Sequence, residues 1–135
     1  RAKVLPNVTV HGPASRERVP EFYKRAKILC CTSDFEGFPN TFLEAWSWGV
    51  PIVSTVDPDN LIAEKGLGRV GASVAELAAG IREILDSPGR WQTASQAARK
   101  YYAENHALDV AMGRFERLFL DVAGASTAPS VGGQA

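Results

Sequence analysis

The chain has no excess of charge of either sign, no long apolar run and almost no cysteine. Fifteen basic side chains are matched by fifteen acidic ones, so there is no electrostatic case for nucleic acid or an anionic membrane as partner. No apolar stretch approaches the roughly 20 residues that a membrane-spanning helix needs. The start, RAKVLPNVTV, puts no long apolar core behind its basic residues and does not read as a secretory leader. The two cysteines, Cys30 and Cys31, are adjacent and lie in an apolar run. Bridging them to each other would be strained, so they read as buried thiols in a reducing compartment rather than a disulfide or metal site. A cytoplasmic chain is expected.

What is present suits one compact domain. A length of 135 residues, 45% of them hydrophobic and 22% charged, is ordinary for a globular fold. VTVHG, Val8 to Gly12, alternates and ends at Gly-Pro, which predicts a short strand. A helix follows from Ser15 as N-cap to Ala26, with Pro20 near its first turn. KILCCTS and VPIVST are continuous apolar runs, the pattern of strands covered on both faces. Between them Pro39 to Trp48 reads as a helix closed by Gly49. VDPDNLIAEKGLGRVG is turn-rich and irregular. Ser73 to Leu85 is amphipathic, with Val74, Leu77, Ala78, Ile81, Ile84 and Leu85 on one face and Ser73 with Glu76 as a capping box. Helices from Arg90 to Glu104 and from Leu108 to Val122 complete residues 1–123. The small polar residues 124–135 are expected to form a disordered tail. Strands alternating with helices imply the α/β class, a Rossmann-like three-layer parallel sheet. With few strands to share the sheet, exposed edges predict either pairing with a second copy, as a homodimer, or marginal stability.

The most informative stretch is SDFEGFPNTFLEAWSWGVPIVST, Ser33 to Thr55. Strand, short loop, helix is the unit with which open α/β sheets bind ligands, at the carboxyl ends of the strands. Pro39 suits the start of a helix because its missing N–H would be unpaired there. The amides of Asn40 and Thr41 then point outward, and such a helix end favours phosphate. The flanking acids do something else. An ionised glutamate only accepts hydrogen bonds and cannot hold a phosphate, but it can take the protons of two neighbouring sugar hydroxyls. Glu36 stands in the loop; Glu44 is about one and a half turns into the helix, and its side chain tilts back toward the helix start. A diphosphate with a sugar at each end, a nucleoside diphosphate sugar, fits this arrangement.

EGFPNTFLEAWSWGVPIVST closely resembles the Glu-x7-Glu signature of the large retaining glycosyltransferase family 4, found in the carboxyl-terminal half of the GT-B fold. LPNVTVHG, VPEFYKRAKILCCTS and SVAELAAGIREILDSP resemble the neighbouring segments of that family, so the likeness covers roughly Leu5 to Val122. The resemblance implies an incomplete carboxyl-terminal half of a GT-B fold that binds a nucleotide-sugar donor. It implies hexose transfer from a nucleotide diphosphate to a hydroxyl acceptor, with retention of anomeric configuration. Glu36 would be catalytic and contact the transferred sugar. The amides of Gly37, Phe38 and Asn40 would reach the sugar or β-phosphate, Thr41 would sit near the phosphates, and Glu44 would hold the ribose. No cofactor and no metal are implied. The family's amino-terminal acceptor domain, its Gly-rich loop and its Arg/Lys pair are not in this sequence. Its Gly-Gly-x-x-Glu turn is replaced here by VDPDNLIAEKGLG. The resemblance places the parent protein in envelope polysaccharide synthesis, at most peripheral to the inner face of the membrane.

Magnitudes limit what the chain does alone. A helix end contributes about 0.3–1 kcal/mol to an exposed anion, whereas a Kd near 0.1 mM needs about 5.5 kcal/mol. The chain is therefore expected to bind donor weakly or not at all, and to transfer nothing unaided. A rival reading is a non-catalytic Rossmann-like binding or assembly module. GLGRVG, Gly66 to Gly71, matches a dinucleotide fingerprint in spacing but follows no strand, and reads better as a glycine turn before a short strand. Asp57-Pro58-Asp59 reads as a turn rather than a metal site. His11 reads as structural at a strand end, and His106 as a cap or surface residue. Of Trp46 and Trp48, one is expected in the core and the other partly exposed.

Overall fold

A computed structural model describes residues 5–126. Three short strands, β1 (Leu29–Cys31), β2 (Ile52–Ser54) and β3 (Gly68–Val70), form one parallel sheet in the order β1-β2-β3. Leu29 stands opposite Ile52, and Ile52 opposite Gly68. The described residues also form six helices, α1 (Val19–Arg25), α2 (Asn40–Ser47), α3 (Leu61–Lys65), α4 (Val74–Leu85), α5 (Pro88–Asn105) and α6 (Leu108–Ser126), the last packed against α5. This is the expected α/β, Rossmann-like arrangement.

The central strand explains the layering. Successive residues of a strand point to opposite faces, and all three residues of β2 are buried. Ile52 enters a cluster with Phe42, Ala45 and Trp46 of α2, Ile62 of α3 and Ala98 of α5. Val53 points the other way, into a cluster with Leu77 and Ile84 of α4. Ser54 returns to the first face, fully buried, and its hydroxyl accepts the Val56 amide at 3.0 Å. Helix α2 ends where Gly49 takes a left-handed φ of +69°, a conformation suited to glycine.

Helix α5 ties both clusters together. Its first turn sends Trp91 Nε1 to the Lys27 carbonyl, 2.8 Å away, just before β1. Farther along, Ser95 Oγ donates to the Gly49 carbonyl at 2.6 Å and Arg99 Nη2 to that of Trp48 at 2.9 Å. These groups lie at the amino ends of the strands. The loops that follow the strands are thereby left on the other rim of the sheet.

Several sequence expectations are corrected. Val8 to Gly12 is no strand: it is exposed, and no described strand pairs with it, so its alternating pattern has no face to bury. Helix α1 starts at Val19, with Arg18 rather than Ser15 at its cap; the Ser15 carbonyl instead receives the amides of Arg18 and Val19. The irregular segment after Thr55 holds a short 3-10 turn, α3 and the third strand, all too short to show a period. β1 is an edge strand, so Cys30 is exposed and Cys31 only half-buried, not the buried pair expected. Val74, at the α4 start, is 83% exposed and Leu85 at its end is also exposed, leaving Leu77 and Ile84 to carry that helix's buried face. Residues 124–126 belong to α6, not to a tail; the rest of the expected tail lies outside the described residues.

Other expectations hold. Ser73 Oγ accepts the Glu76 amide at 3.2 Å, and Glu76 Oε2 reaches back to the Ala72 amide at 2.9 Å. Trp46 is fully buried and Trp48 is 37% exposed. Asp57 caps α3, accepting the amides of Ile62 and Ala63 at 2.8 and 3.2 Å. GLGRVG follows α3 rather than a strand and itself contains β3, so its glycines turn the chain and let β3 approach β2. No helix among the described residues is long and apolar enough to cross a membrane.

Candidate functional site

The loop from Thr32 to Pro39 leaves the carboxyl end of β1 and delivers the chain to α2. It is braced from beneath. Thr55 Oγ1, just past β2, donates to the Ser33 carbonyl at 2.6 Å, and Cys31 Sγ lies 3.6 Å from Ser33 Oγ. The Ser33 hydroxyl donates in turn to Glu36 Oε1 at 2.9 Å. Glu36 is exposed but not free: its carboxylate is held toward the ends of the first two strands.

Pro39 is the N-cap residue of α2, with φ −66° and ψ 123°. It is one position earlier than the sequence pattern suggested, and it is buried. The first amide of the helix with a partner in the chain is that of Phe42, bonded to the Pro39 carbonyl at 3.0 Å. The amides of Asn40 and Thr41 have no acceptor among the described residues, and both residues are exposed. Early helical N–H groups have no intrahelical partner, so two donors and the positive end of the dipole face solvent here. Gly37 is open: a Cβ placed there would meet nothing within 4 Å.

Phe38 anchors the loop. Its ring packs against Trp46, 6.2 Å between centroids, and against His106, 6.0 Å. Tyr101 stands edge-on to Trp46 at 5.3 Å, next to a buried indole N–H that has no hydrogen-bond partner among the described residues. His106, at the carboxyl cap of α5, is half-buried. Burial, reinforced by the charge of Arg114, holds its imidazole below the usual histidine range. A cap role was legible in the sequence; a contact with the signature loop was not. His11 is exposed, with its ring edge-on to Phe22 at 4.9 Å.

Glu44 faces a different neighbour. Its Oε2 accepts the hydroxyl of Tyr23, from α1, at 2.9 Å. Burial, then the hydrogen bond and charge of Glu44, push the Tyr23 phenol well above its usual range. Both residues line a cavity of about 320 Å³ with Arg16, Val19, Ser47 and Trp48. Glu36 does not line it. The structure thus shows two separately held carboxylates with open amides between them in sequence, and a cavity that Glu44 lines and Glu36 does not. Tyr23 and Ser33 are the partners that sequence reading missed, since neither carries a local signal of what it holds. Among the described residues no group of His, Cys, Asp or Glu is arranged to hold a metal.

The model of the family described as glycosyl transferases group 1 matches residues 1–101, about three quarters of the chain. The chain belongs to that family. A 38-residue stretch is 50% identical to a lipopolysaccharide 1,6-galactosyltransferase of Escherichia coli K12. That stretch covers 28% of this chain and 11% of that enzyme, so the chain matches only a small part of the relative's length. No solved structure matches.

Proposed function

We propose that the chain is the donor-binding part of a retaining glycosyltransferase, moving a hexose from a nucleotide diphosphate sugar to a hydroxyl acceptor. The observation that carries this reading is the loop between β1 and α2 together with the start of α2, where a braced Glu36, two open amides and Glu44 follow one another. Membership of the group 1 glycosyltransferases supports it. The galactosyltransferase likeness supports a hexose as the transferred group and envelope polysaccharide as the setting.

In this reading the chemistry is the retaining transfer that the resemblance implies. The bond between the anomeric carbon and the diphosphate oxygen breaks, and a bond to the acceptor oxygen forms on the same face. The acceptor's proton passes to the departing phosphate. Charge builds on that phosphate, so donors preorganised toward it lower the barrier; the amides of Asn40 and Thr41, with those of Gly37 and Phe38, fill this role. Glu36 is the catalytic contact with the sugar hydroxyls, and Glu44 takes the ribose.

The chain supplies one wall. The helix end contributes about 1 kcal/mol and each hydroxyl bond about 1 kcal/mol. Each alone falls far short of the about 4 kcal/mol of even a millimolar Kd. An amino-terminal acceptor-binding domain is the partner that closes the cleft in this reading. Substituting Glu36→Ala in the full-length protein tests it: lost transfer with an unchanged fold supports the reading. Unchanged transfer would mean that Glu36 takes no part in it, and would favour this chain as a non-catalytic binding module with the chemistry carried elsewhere in the protein.

A further inference from the structure

We propose that Tyr23 is a positioning residue for Glu44, fixing that carboxylate so that its unoccupied lone pairs meet the vicinal ribose hydroxyls of the donor nucleotide. The inference rests on the donor-site reading above and deepens it.

Glu44 is an exposed side chain on a helix surface, which alone would move among rotamers. Tyr23 removes that freedom. Its ring is half-buried and packs against the cluster of Phe42, Trp46 and Ile52, so the hydroxyl is carried on a rigid support. The hydroxyl donates to Glu44 Oε2 at 2.9 Å, across 21 positions of sequence. A carboxylate offers about four acceptor sites, so one phenol leaves Oε1 and a share of Oε2 for a ligand. The two residues line the same cavity, together with the half-open face of Trp48. Burial and the Glu44 carboxylate hold the phenol's pKa up, so it stays a proton donor throughout the physiological range.

A merely structural tyrosine would affect all ligands alike, whereas a positioning tyrosine affects only those with a ribose diol. The test uses the full-length protein with UDP, GDP and their 2′-deoxy counterparts, measured by calorimetry on wild type, Tyr23→Phe and Glu44→Ala. Phenylalanine keeps the packed ring and removes only the hydroxyl. Wild type is expected to prefer a ribose nucleotide to its deoxy form, and Glu44→Ala to abolish the preference. Tyr23→Phe should weaken the ribose form about tenfold, equivalent to about 1.4 kcal/mol, and leave the deoxy form unchanged. Donor KM should rise by the same factor while kcat holds. If wild type and Glu44→Ala behave as stated but Tyr23→Phe keeps the preference, the positioning role is overturned and the Glu44 reading stands. Tighter ribose binding in Tyr23→Phe would also overturn it, making the tyrosine a blocker. If wild type shows no preference, the Glu44 reading fails and the inference fails with it.

Discussion

Ser33 donates its hydroxyl to Glu36 Oε1 at 2.9 Å, while its own carbonyl is held by the Thr55 hydroxyl at 2.6 Å. The proposed catalytic carboxylate is therefore referenced to the ends of β1 and β2, not to a free loop. A group that must meet a sugar within a few tenths of an ångström gains from such a support, because misplacement is costly in rate.

Ser33→Ala should accordingly reduce transfer without unfolding the chain. The lost hydrogen bond is worth about 0.5–1.5 kcal/mol, which corresponds to a drop in kcat/KM of up to about tenfold. Steady-state kinetics beside a melting curve check this, and Ser33→Thr should restore most of the rate. An unchanged kcat/KM in Ser33→Ala would separate Ser33 from the site.

Gly68→Ala should be among the most damaging single changes. A Cβ there would fall inside contact distance of the Ile52 carbonyl oxygen, in the sheet's central pairing. Backbone on both sides leaves no side chain to swing aside, so β2 and β3 must separate. Gly66 is the control: it has a left-handed φ of +66° but open space around its would-be Cβ. Gly66→Ala should cost only about 1–2 kcal/mol for the left-handed backbone, whereas Gly68→Ala should leave little folded protein by circular dichroism. Equal effects would contradict the packing described.

His106 links stability to pH. Burial lowers its folded pKa, so the unfolded chain binds a proton first as pH falls. By linkage, its contribution is complete above the ordinary value of about 6.5 and is lost as pH drops below it. Urea titrations at descending pH should show stability declining through this window, and His106→Gln should flatten the slope. Since His106 packs on Phe38, its titration should also disturb the signature loop.

Much of this was legible in the sequence where the cause was local. β2 was readable from its apolar run, α4 from its period and capping box, and the end of α2 from Gly49. What was not legible depends on distant partners. A short strand was expected after the GLGRVG glycines, but β3 lies within them, because there Ile52 to Ser54 offers it bonds. Cys30 is exposed because β1 has no described neighbour on its outer side, a fact of topology rather than hydropathy. The same holds for the site: the two glutamates stood out by spacing, but Tyr23 meets Glu44 only once the fold brings the Tyr23 hydroxyl, 21 positions away in sequence, to the surface of α2.

The most direct test of the account titrates the protein with UDP and GDP while following the backbone amides of Gly37, Phe38, Asn40 and Thr41 by NMR. The account predicts that these amides move together and saturate at millimolar nucleotide, with Glu44→Ala weakening the response. Amides that stay still while nucleotide binds another surface would contradict it.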